Sequence, residues 1–464
     1  LESVNKFASL VIGCIAMACA MMSPPASHAQ TAELPPYAFS EEDDAFLEEV
    51  SRASFQYFKN YQYINSGMIQ DRSDTPTVCS IASIGFGLPA YAIAAERGWM
   101  SRVEAQIRTV RALRTLEASP ARRWGFYAHY LDMQTGGPTT GGYEKSVSTI
   151  DTALMIAGAL AAGEYFGGEA KEIANRIYAE MDWTQFVNPA SNNQVRMAWI
   201  PDDVNNYASS GSWGVAHWNW YSDETLLVNM LGICAPNPDY RLDPQVHLNN
   251  WNRTVRVHDG EAFIVSWPGT LFTYTFAQCF YDFTRYGPDP QGVDWFENSR
   301  VAVRANRDWC RANAGTYATY GVDRWGITAC SSPTGYAVPG HQPRGASGSN
   351  PVGGVIAPYG AGMAVLWEPN DAISALRHMK GLSINGKPVW TPSGHGFVDA
   401  FNVDENWTSP NLFGIANGPM LLCIENARTG MIWNLFHSNQ HIADGMLRAG
   451  FVPVPHGADG MSVY

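Results

Sequence analysis

A carboxylate set among apolar or aromatic residues has a proton that can be put to work, and three stretches of this 464-residue chain hold one. Asp151 lies in Val147-Ser-Thr-Ile-Asp-Thr-Ala-Leu-Met-Ile-Ala-Gly-Ala-Leu160, with no other charge between Lys145 and Glu164. An ionised carboxylate is costly in such surroundings unless it is paired or hydrogen-bonded. Two readings stand for it. One is an acid near a helix N-terminus, where the dipole favours it. The other is a cleft-facing carboxylate tied to Glu144, seven residues earlier, on one face if the helix extends that far back.

The second stretch is Asp223-Glu224, which follows the aromatic loop Trp213-Gly-Val-Ala-His-Trp-Asn-Trp-Tyr221 and opens an apolar helix. Acids are common at helix starts. Yet four Trp or Tyr residues (Trp213, Trp218, Trp220, Tyr221) just before a carboxylate suit a sugar subsite. Rings stack on the apolar faces of pyranoses and exclude water, and a carboxylic acid so placed stays protonated as a general acid. The third stretch is Gly396-Phe-Val-Asp-Ala-Phe-Asn402, where Asp399 is either a turn former or a reactive acid. Glu425 has an ordinary i+3 partner in Arg428, and the stripe Arg300, Arg304, Arg307, Arg311 reads as a salt-bridged helix surface.

Other chemistries leave no trace. The chain has no H-E-x-x-H, no phosphate-binding G-x-x-x-x-G-K, no G-x-G-x-x-G after a strand and no G-x-S-x-G. No metal and no cofactor are expected. With 30 Lys+Arg against 43 Asp+Glu the net charge is −13, too cation-poor to neutralise phosphates, so no nucleic-acid partner is expected. Only 16% of residues are charged and 12% are aromatic, which excludes a disordered chain and favours a large core. The aromatic and acidic residues collect in long loops, so the expected partner is an oligo- or polysaccharide.

The elements that would position these groups are helices. Apolar positions recurring at three and four predict helices at 41–60, 79–97, 101–117, 147–163, 169–181, 224–234, 271–286 and 293–313. Shorter ones are predicted at 358–366, 370–379, 416–428 and 440–448, with Gly and Pro at the breaks. Short hairpins are expected near 194–200 and 384–400. Long loops at 121–146, 184–222, 236–270 and 314–357 would form a cleft at one end. The simplest architecture is an all-α (α/α)6 toroid in one domain over residues 30–464.

Residues 1–29 read as a secretory signal peptide: Lys6, an uncharged apolar run from Phe7 to Met22, and a small-x-small site at Ser27-His28-Ala29. The expected product is exported, periplasmic or extracellular, free of the membrane after cleavage, and monomeric. Of the cysteines beyond it, Cys310 and Cys330 are the nearest pair and the first disulfide candidate, while Cys279 and Cys423 sit in apolar runs as buried thiols.

The succession of motifs resembles the bacterial glucoamylase-like protein family, which includes the endo-β-1,2-glucanases of glycoside hydrolase family 144. The matching stretches are Asp71-Arg72, Ile84-Gly-Phe-Gly-Leu88 with Arg97-Gly-Trp-Met-Ser-Arg102, Gly125–Gly136, Glu144–Leu154, Gly269-Thr-Leu-Phe272, Trp295–Arg300, Trp325–Ala329 with Gly335-Tyr336, Gly396–Asn402 and Gly418–Asn426. The resemblance implies an (α/α)6 barrel, hydrolysis of a β-glucan, most specifically a β-1,2-glucan, and inversion at the anomeric carbon. It places the cleft acids on Glu144, Asp151 and the Asp223/Glu224 pair. Glu224 becomes the general acid with Asp223 as alternate, and Asp399 the base or a relay through water. Tyr127, His129, Trp325, Tyr336 and Phe397 join the Trp213–Tyr221 rings as expected sugar contacts. The chain departs from the family at Tyr221-Ser-Asp-Glu-Thr225, Trp199-Ile-Pro-Asp202-Asp203 and Cys234-Ala-Pro-Asn237, all near the presumed cleft. A polysaccharide lyase on the same toroid and a non-catalytic carbohydrate-binding envelope protein are the competing readings.

Overall fold

The computed structural model describes residues 37–454 except 140, 143 and 347–352. The signal-peptide reading of residues 1–29 lies outside the described residues. Thirteen α-helices carry the described chain: α1 Glu41–Asn60, α2 Ile81–Glu96, α3 Arg102–Glu117, α4 Thr149–Phe166, α5 Gly168–Ala179, α6 Asp223–Cys234, α7 Pro244–His247, α8 Trp295–Ala312, α9 Pro358–Ala364, α10 Pro369–Lys380, α11 Gly414–Thr429, α12 Met431–Ser438 and α13 Gln440–Arg448.

Two kinds of helix follow from composition. In α2, α4, α6, α9 and α11 nearly every residue is buried, so these have no polar face to give to water. By contrast α1, α3, α5, α8 and α10 bury one stripe each and carry their charges on the other side. The buried helices pack on one another: α2 lies against α4 and α11, α4 against α6, and α11 against α9. The α2–α4 crossing is backbone on backbone. A Cβ at Gly158 would lie 1.7 Å from the Gly85 carbonyl oxygen, and one at Gly85 would lie 2.4 Å from that of Leu154, so only glycine fits either position. Capping fixes the starts: Ser40 accepts from the Asp43 amide, Ser148 from Asp151, Ser222 from Thr225 and Asp294 from Glu297.

The expected helix over 271–286 does not form. The stretch is broken into three 3-10 turns at Leu271–Tyr274, Ala277–Cys279 and Phe283–Arg285. Threonine hydroxyls compete for the backbone here: Thr273 donates to the Thr270 carbonyl and Thr275 to that of Phe272. Asp282 then caps a new turn at the Thr284 amide. The short helices α7 and α12 were not predicted, being too brief to show a period.

Strands are confined to two- and three-stranded ribbons among the described residues. Near 194–200, Gln194–Val195 pairs with Val187–Asn188, and Ala198–Pro201 joins Val147–Ser148 and Gly211–Trp213. Ser383–Ile384 pairs with Lys387–Pro388 across Asn385-Gly386. A further hairpin, Val255–His258 with Glu261–Ile264, lies inside what reads as a loop. Its Asp259-Gly260 turn has φ of 48° and 83°, the left-handed pair that a two-residue hairpin demands.

Two pairings differ from expectation. Cys310 and Cys330 are free and buried, like every cysteine of the described residues. Glu425 does not pair with Arg428 but accepts from Nε and Nη2 of Arg97, at 3.0–3.1 Å. Arg428 instead reaches across to Asp44 and Glu48 on α1. The α8 arginines do form a salt-bridged face, with Glu297, Glu261, Asp308 and Asp371.

Candidate active site

The first turns of α4 and α6 each bring a carboxylate to a common cleft, walled by the loops ahead of α2, α4 and α6 and by the segments around 267–273 and 336–338. The cleft has two chambers. The larger, about 750 Å³, is lined by Trp218, Trp220, Trp267, Phe272 and Glu224 among others. The smaller, about 380 Å³, is lined by Asp71, His129, Tyr130, Asp151, Glu224, Tyr336, Tyr359 and Phe413 among others. Glu224, Phe272 and Val338 border both.

Glu224 stands in the first turn of α6, where Ser222 caps the backbone and leaves the Glu224 side chain free to face the cleft. Among the described residues its carboxyl has no hydrogen bond or ion pair. Burial, then the negative charges of Asp151 and Asp223, push it up to about 8. At neutral pH it is therefore a carboxylic acid with a proton to give.

Asp223, its neighbour, has a different task. It is fully buried (0% exposed) and accepts from the Tyr221 hydroxyl at 3.2 Å and the Ala277 amide at 3.1 Å. Burial raises it to about 7 while these donors pull it down. It ties the broken 271–285 segment to α6 and does not line the cleft.

Glu144 and Asp151 do not share a helix face, because α4 begins at Thr149. They meet through a third residue. His129 points Nδ1 at Glu144 (3.3 Å) and Nε2 at Asp151 (3.5 Å). Burial works against its charged form, but Asp151, Glu144 and Asp71 outweigh burial and hold the imidazole up at about 9. The His129 hydrogen bond in turn lowers Glu144, helped by Ser146. Asp151 also takes the Ser148 hydroxyl. The result is an imidazolium clamped between two carboxylates and stacked on Tyr130, ring centroids 3.9 Å apart.

Asp399 is 5% exposed and accepts from the Ser331 amide at 2.7 Å. Burial raises it to about 6 against that hydrogen bond. Ser331 pairs with Tyr336 in the hairpin Cys330–Ser332 with Gly335–Ala337. Asp399 thus lies behind the hairpin whose Tyr336 ring lines the smaller chamber.

The expected sugar contacts divide. Trp218, Trp220, His129 and Tyr336 line the cleft. Trp213 stacks on Trp124 with Arg196 over its ring and does not line it. Tyr221 borders the larger chamber too, but its ring is buried against Trp295 and its hydroxyl donates to Asp223. Tyr127, Trp325 and Phe397 are core residues: Tyr127 donates to the Leu116 carbonyl, Trp325 is fully enclosed, and Phe397 packs edge-on to Trp390. An aromatic residue in a motif is as often there to fill the core as to meet a ligand.

Sequence reasoning did not assign roles to Asp71, Arg72, Tyr130, Trp267, Phe272, Tyr359 and Phe413, all of which line the cleft. Asp71-Arg72 and Phe272 stood in matching motifs, but a motif does not say which way a side chain faces. Trp267 is 49% exposed and meets Trp220 edge to face at 5.3 Å, an open aromatic corner in the larger chamber.

Comparison with known proteins bears out the resemblance to the glucoamylase-like family: the family model described as "Putative glucoamylase" matches residues 216–440. A curated relative, the exo β-1,2-glucooligosaccharide sophorohydrolase (non-reducing end) of Parabacteroides distasonis, is 26% identical over 449 residues. That match covers 87% of this chain and 57% of the relative, so the chain spans little more than half the relative's length. Among solved structures, one from Bacteroides uniformis carrying the same description as the family model superposes with a TM-score of 0.77 at 26% identity, covering 90% of this chain and 99% of that one. The endo-β-1,2-glucanase of Chitinophaga pinensis, solved with sophorotriose and glucose, superposes with a TM-score of 0.76 at 25% identity, covering 89% of this chain and 98% of that one.

Proposed function

We propose that this chain is a glycoside hydrolase that cleaves a β-1,2-linked glucan with inversion at the anomeric carbon. The observation that carries the reading is Glu224, an unpartnered carboxyl raised to about 8 where two aromatic-walled chambers meet. Glu224 donates its proton to the glycosidic oxygen as the C1–O bond breaks. A water attacks C1 from the opposite face and gives up its proton to a carboxylate that is ionised near neutrality. Asp399, at about 6, is our candidate for that base, acting through water because the Tyr336 hairpin stands between it and the chamber. The rings of Trp218, Trp220 and Trp267 hold the flanking sugars by their apolar faces. β-1,2-Linkage is supported by the names of the similar proteins from Parabacteroides distasonis and Chitinophaga pinensis.

We also infer an (α/α)6 toroid. Its inner set would be α2, α4, α6, α9, α11 and the 271–285 segment, with the amphipathic helices outside. The reading includes one catalytic domain over residues 30–464, working as an exported monomer in the periplasm or outside the cell.

The test incubates purified protein with β-1,2-glucan, other defined glucans and a uronan. New reducing ends from the β-1,2-glucan, lost in Glu224→Gln while binding persists, support the reading. An unsaturated uronate chromophore would indicate a lyase. Saturable binding without cleavage would indicate a binding protein. Full turnover by Glu224→Gln would remove Glu224 as the acid.

A further inference from the structure

Asp71 is a cleft carboxylate to which the proposed reaction gives no role. Its main chain is fully engaged: the amide donates to the Val78 carbonyl at 3.1 Å, and the carbonyl accepts from the Tyr57 hydroxyl at 2.8 Å and the Gly414 amide at 3.2 Å. The backbone is therefore held from three sides, and the side chain is fixed at the wall of the smaller chamber. Its carboxylate, in contrast, has no hydrogen bond or ion pair among the described residues. The nearest cations are turned elsewhere. Arg72 faces Asp74 at 2.9 Å, and both ring nitrogens of His129 face Glu144 and Asp151.

Glu144, Asp151, Asp223 and Asp399 each accept a hydrogen bond from the protein. Of the candidate acids among the described residues, only Glu224 shares the bare state of Asp71, and Glu224 has a reaction to explain it. Leaving a mostly buried carboxylate without a donor is unfavourable, and burial pushes Asp71 up to about 6. A ligand hydroxyl would supply the missing donor.

Position narrows the role. Asp71 borders the smaller chamber together with Asp151 and Glu224 and does not border the larger one. The rings of Tyr336 and Phe413, 5.8 Å apart, close the same chamber. A carboxylate has two oxygens spaced to take two adjacent hydroxyls of one sugar. In a β-1,2-linked glucose residue O2 is spent in the linkage, which leaves O3 and O4 as the free adjacent pair. A β-1,3-linked residue has no such pair.

We propose that Asp71 is a substrate-binding residue that grips the O3/O4 diol of a glucosyl unit in the smaller chamber and so helps select the 1,2-linkage. The proposal rests on the glucan reading of the cleft. Its test is a binding experiment, so it does not depend on turnover. Calorimetry would compare Glu224→Gln with Glu224→Gln/Asp71→Ala and Glu224→Gln/Asp71→Asn, using β-1,2-glucotetraose and its fully 4-deoxygenated analogue. Hydrogen bonds to a charged acceptor carry about tenfold or more in affinity. The expected result is at least a tenfold loss on removing Asp71, a smaller loss for Asn, and a deoxygenation penalty only where Asp71 is present. The Asn variant keeps the side-chain volume and guards against misfolding, which thermal melting would reveal. Unchanged binding without Asp71, or the same deoxygenation penalty with and without it, overturns the assignment and leaves the hydrolase reading standing. Tight, Asp71-dependent binding by a wild-type protein that cleaves nothing would do the reverse.

Discussion

The Nε2 of His129 lies 3.5 Å from Oδ1 of Asp151, while its Nδ1 faces Glu144 at 3.3 Å. Each ring nitrogen therefore faces a carboxylate, and these charges favour the imidazolium at neutral pH. Its value of about 9 lies above that of an unfolded histidine. The folded protein holds this proton longer than the unfolded chain, so the stabilisation is complete below about pH 6.5 and is lost as pH rises through about 9. His129→Gln should melt lower than wild type at pH 6, and the gap should close by pH 10. A gap independent of pH would place the effect in packing instead of charge.

Glu224 gives the opposite result on mutation. Its carboxyl is raised to about 8, so ionising it costs stability progressively as pH rises from about 4.5 to 8. Glu224→Gln should match wild type in melting temperature at pH 4 and exceed it by a few degrees, roughly 2–4 °C, at pH 9. Equal melting curves at both pH values would mean that the carboxyl is not held protonated.

The same two classes of group set the activity profile. The acid must be protonated and the base ionised, so kcat/KM should be bell-shaped, with limbs near 6 from Asp399 and near 8 from Glu224. Initial rates across pH 4–10 on a β-1,2-glucan would check this. A profile that keeps rising above pH 9 would be inconsistent with Glu224 as the proton donor.

Glu425 is 1% exposed and accepts from Nε and Nη2 of Arg97. Arg97 is partly exposed and keeps a 3.7 Å contact to Glu48, so losing Glu425 costs less than stranding a fully buried charge, about 2 kcal/mol. Glu425→Ala should lower the unfolding free energy by roughly that amount while kcat stays at the wild-type value, since neither residue lines the cleft. Denaturant titration and steady-state rates would separate the two effects.

The helical framework was legible because its signals are local. Ser148 ahead of an uninterrupted apolar run marks α4, and Asp294 ahead of an amphipathic one marks α8. The 271–285 segment was not, because threonine hydroxyls and the distant Asp223 carboxylate decide its backbone. The site shows the same division. Glu224 and Asp151 stood out as acids in apolar runs. That His129 joins Asp151 to Glu144, that Asp223 turns inward to Tyr221, and that Asp71 faces the cleft all depend on contacts between residues far apart in the chain. Charge-and-spacing logic also mispaired Glu425 with Arg428, because it looks along one helix and the true partner, Arg97, comes from another.

Cys279 and Cys423 lie Sγ to Sγ at 3.7 Å, and neither they nor Cys310 and Cys330 are bridged. Thiol titration of the denatured protein without reductant should find all six cysteines from Cys79 to Cys423 free, and reductant should leave the melting temperature unchanged. Fewer thiols and a reductant-sensitive melt would reveal a structural bridge.

The most direct test of the central claim is proton NMR of the first products formed from a β-1,2-gluco-oligosaccharide, read before mutarotation. A proton passed from Glu224 with water entering from the opposite face predicts that the new reducing end appears first as the α-anomer. Release of the β-anomer first, or no new reducing end at all, would contradict it.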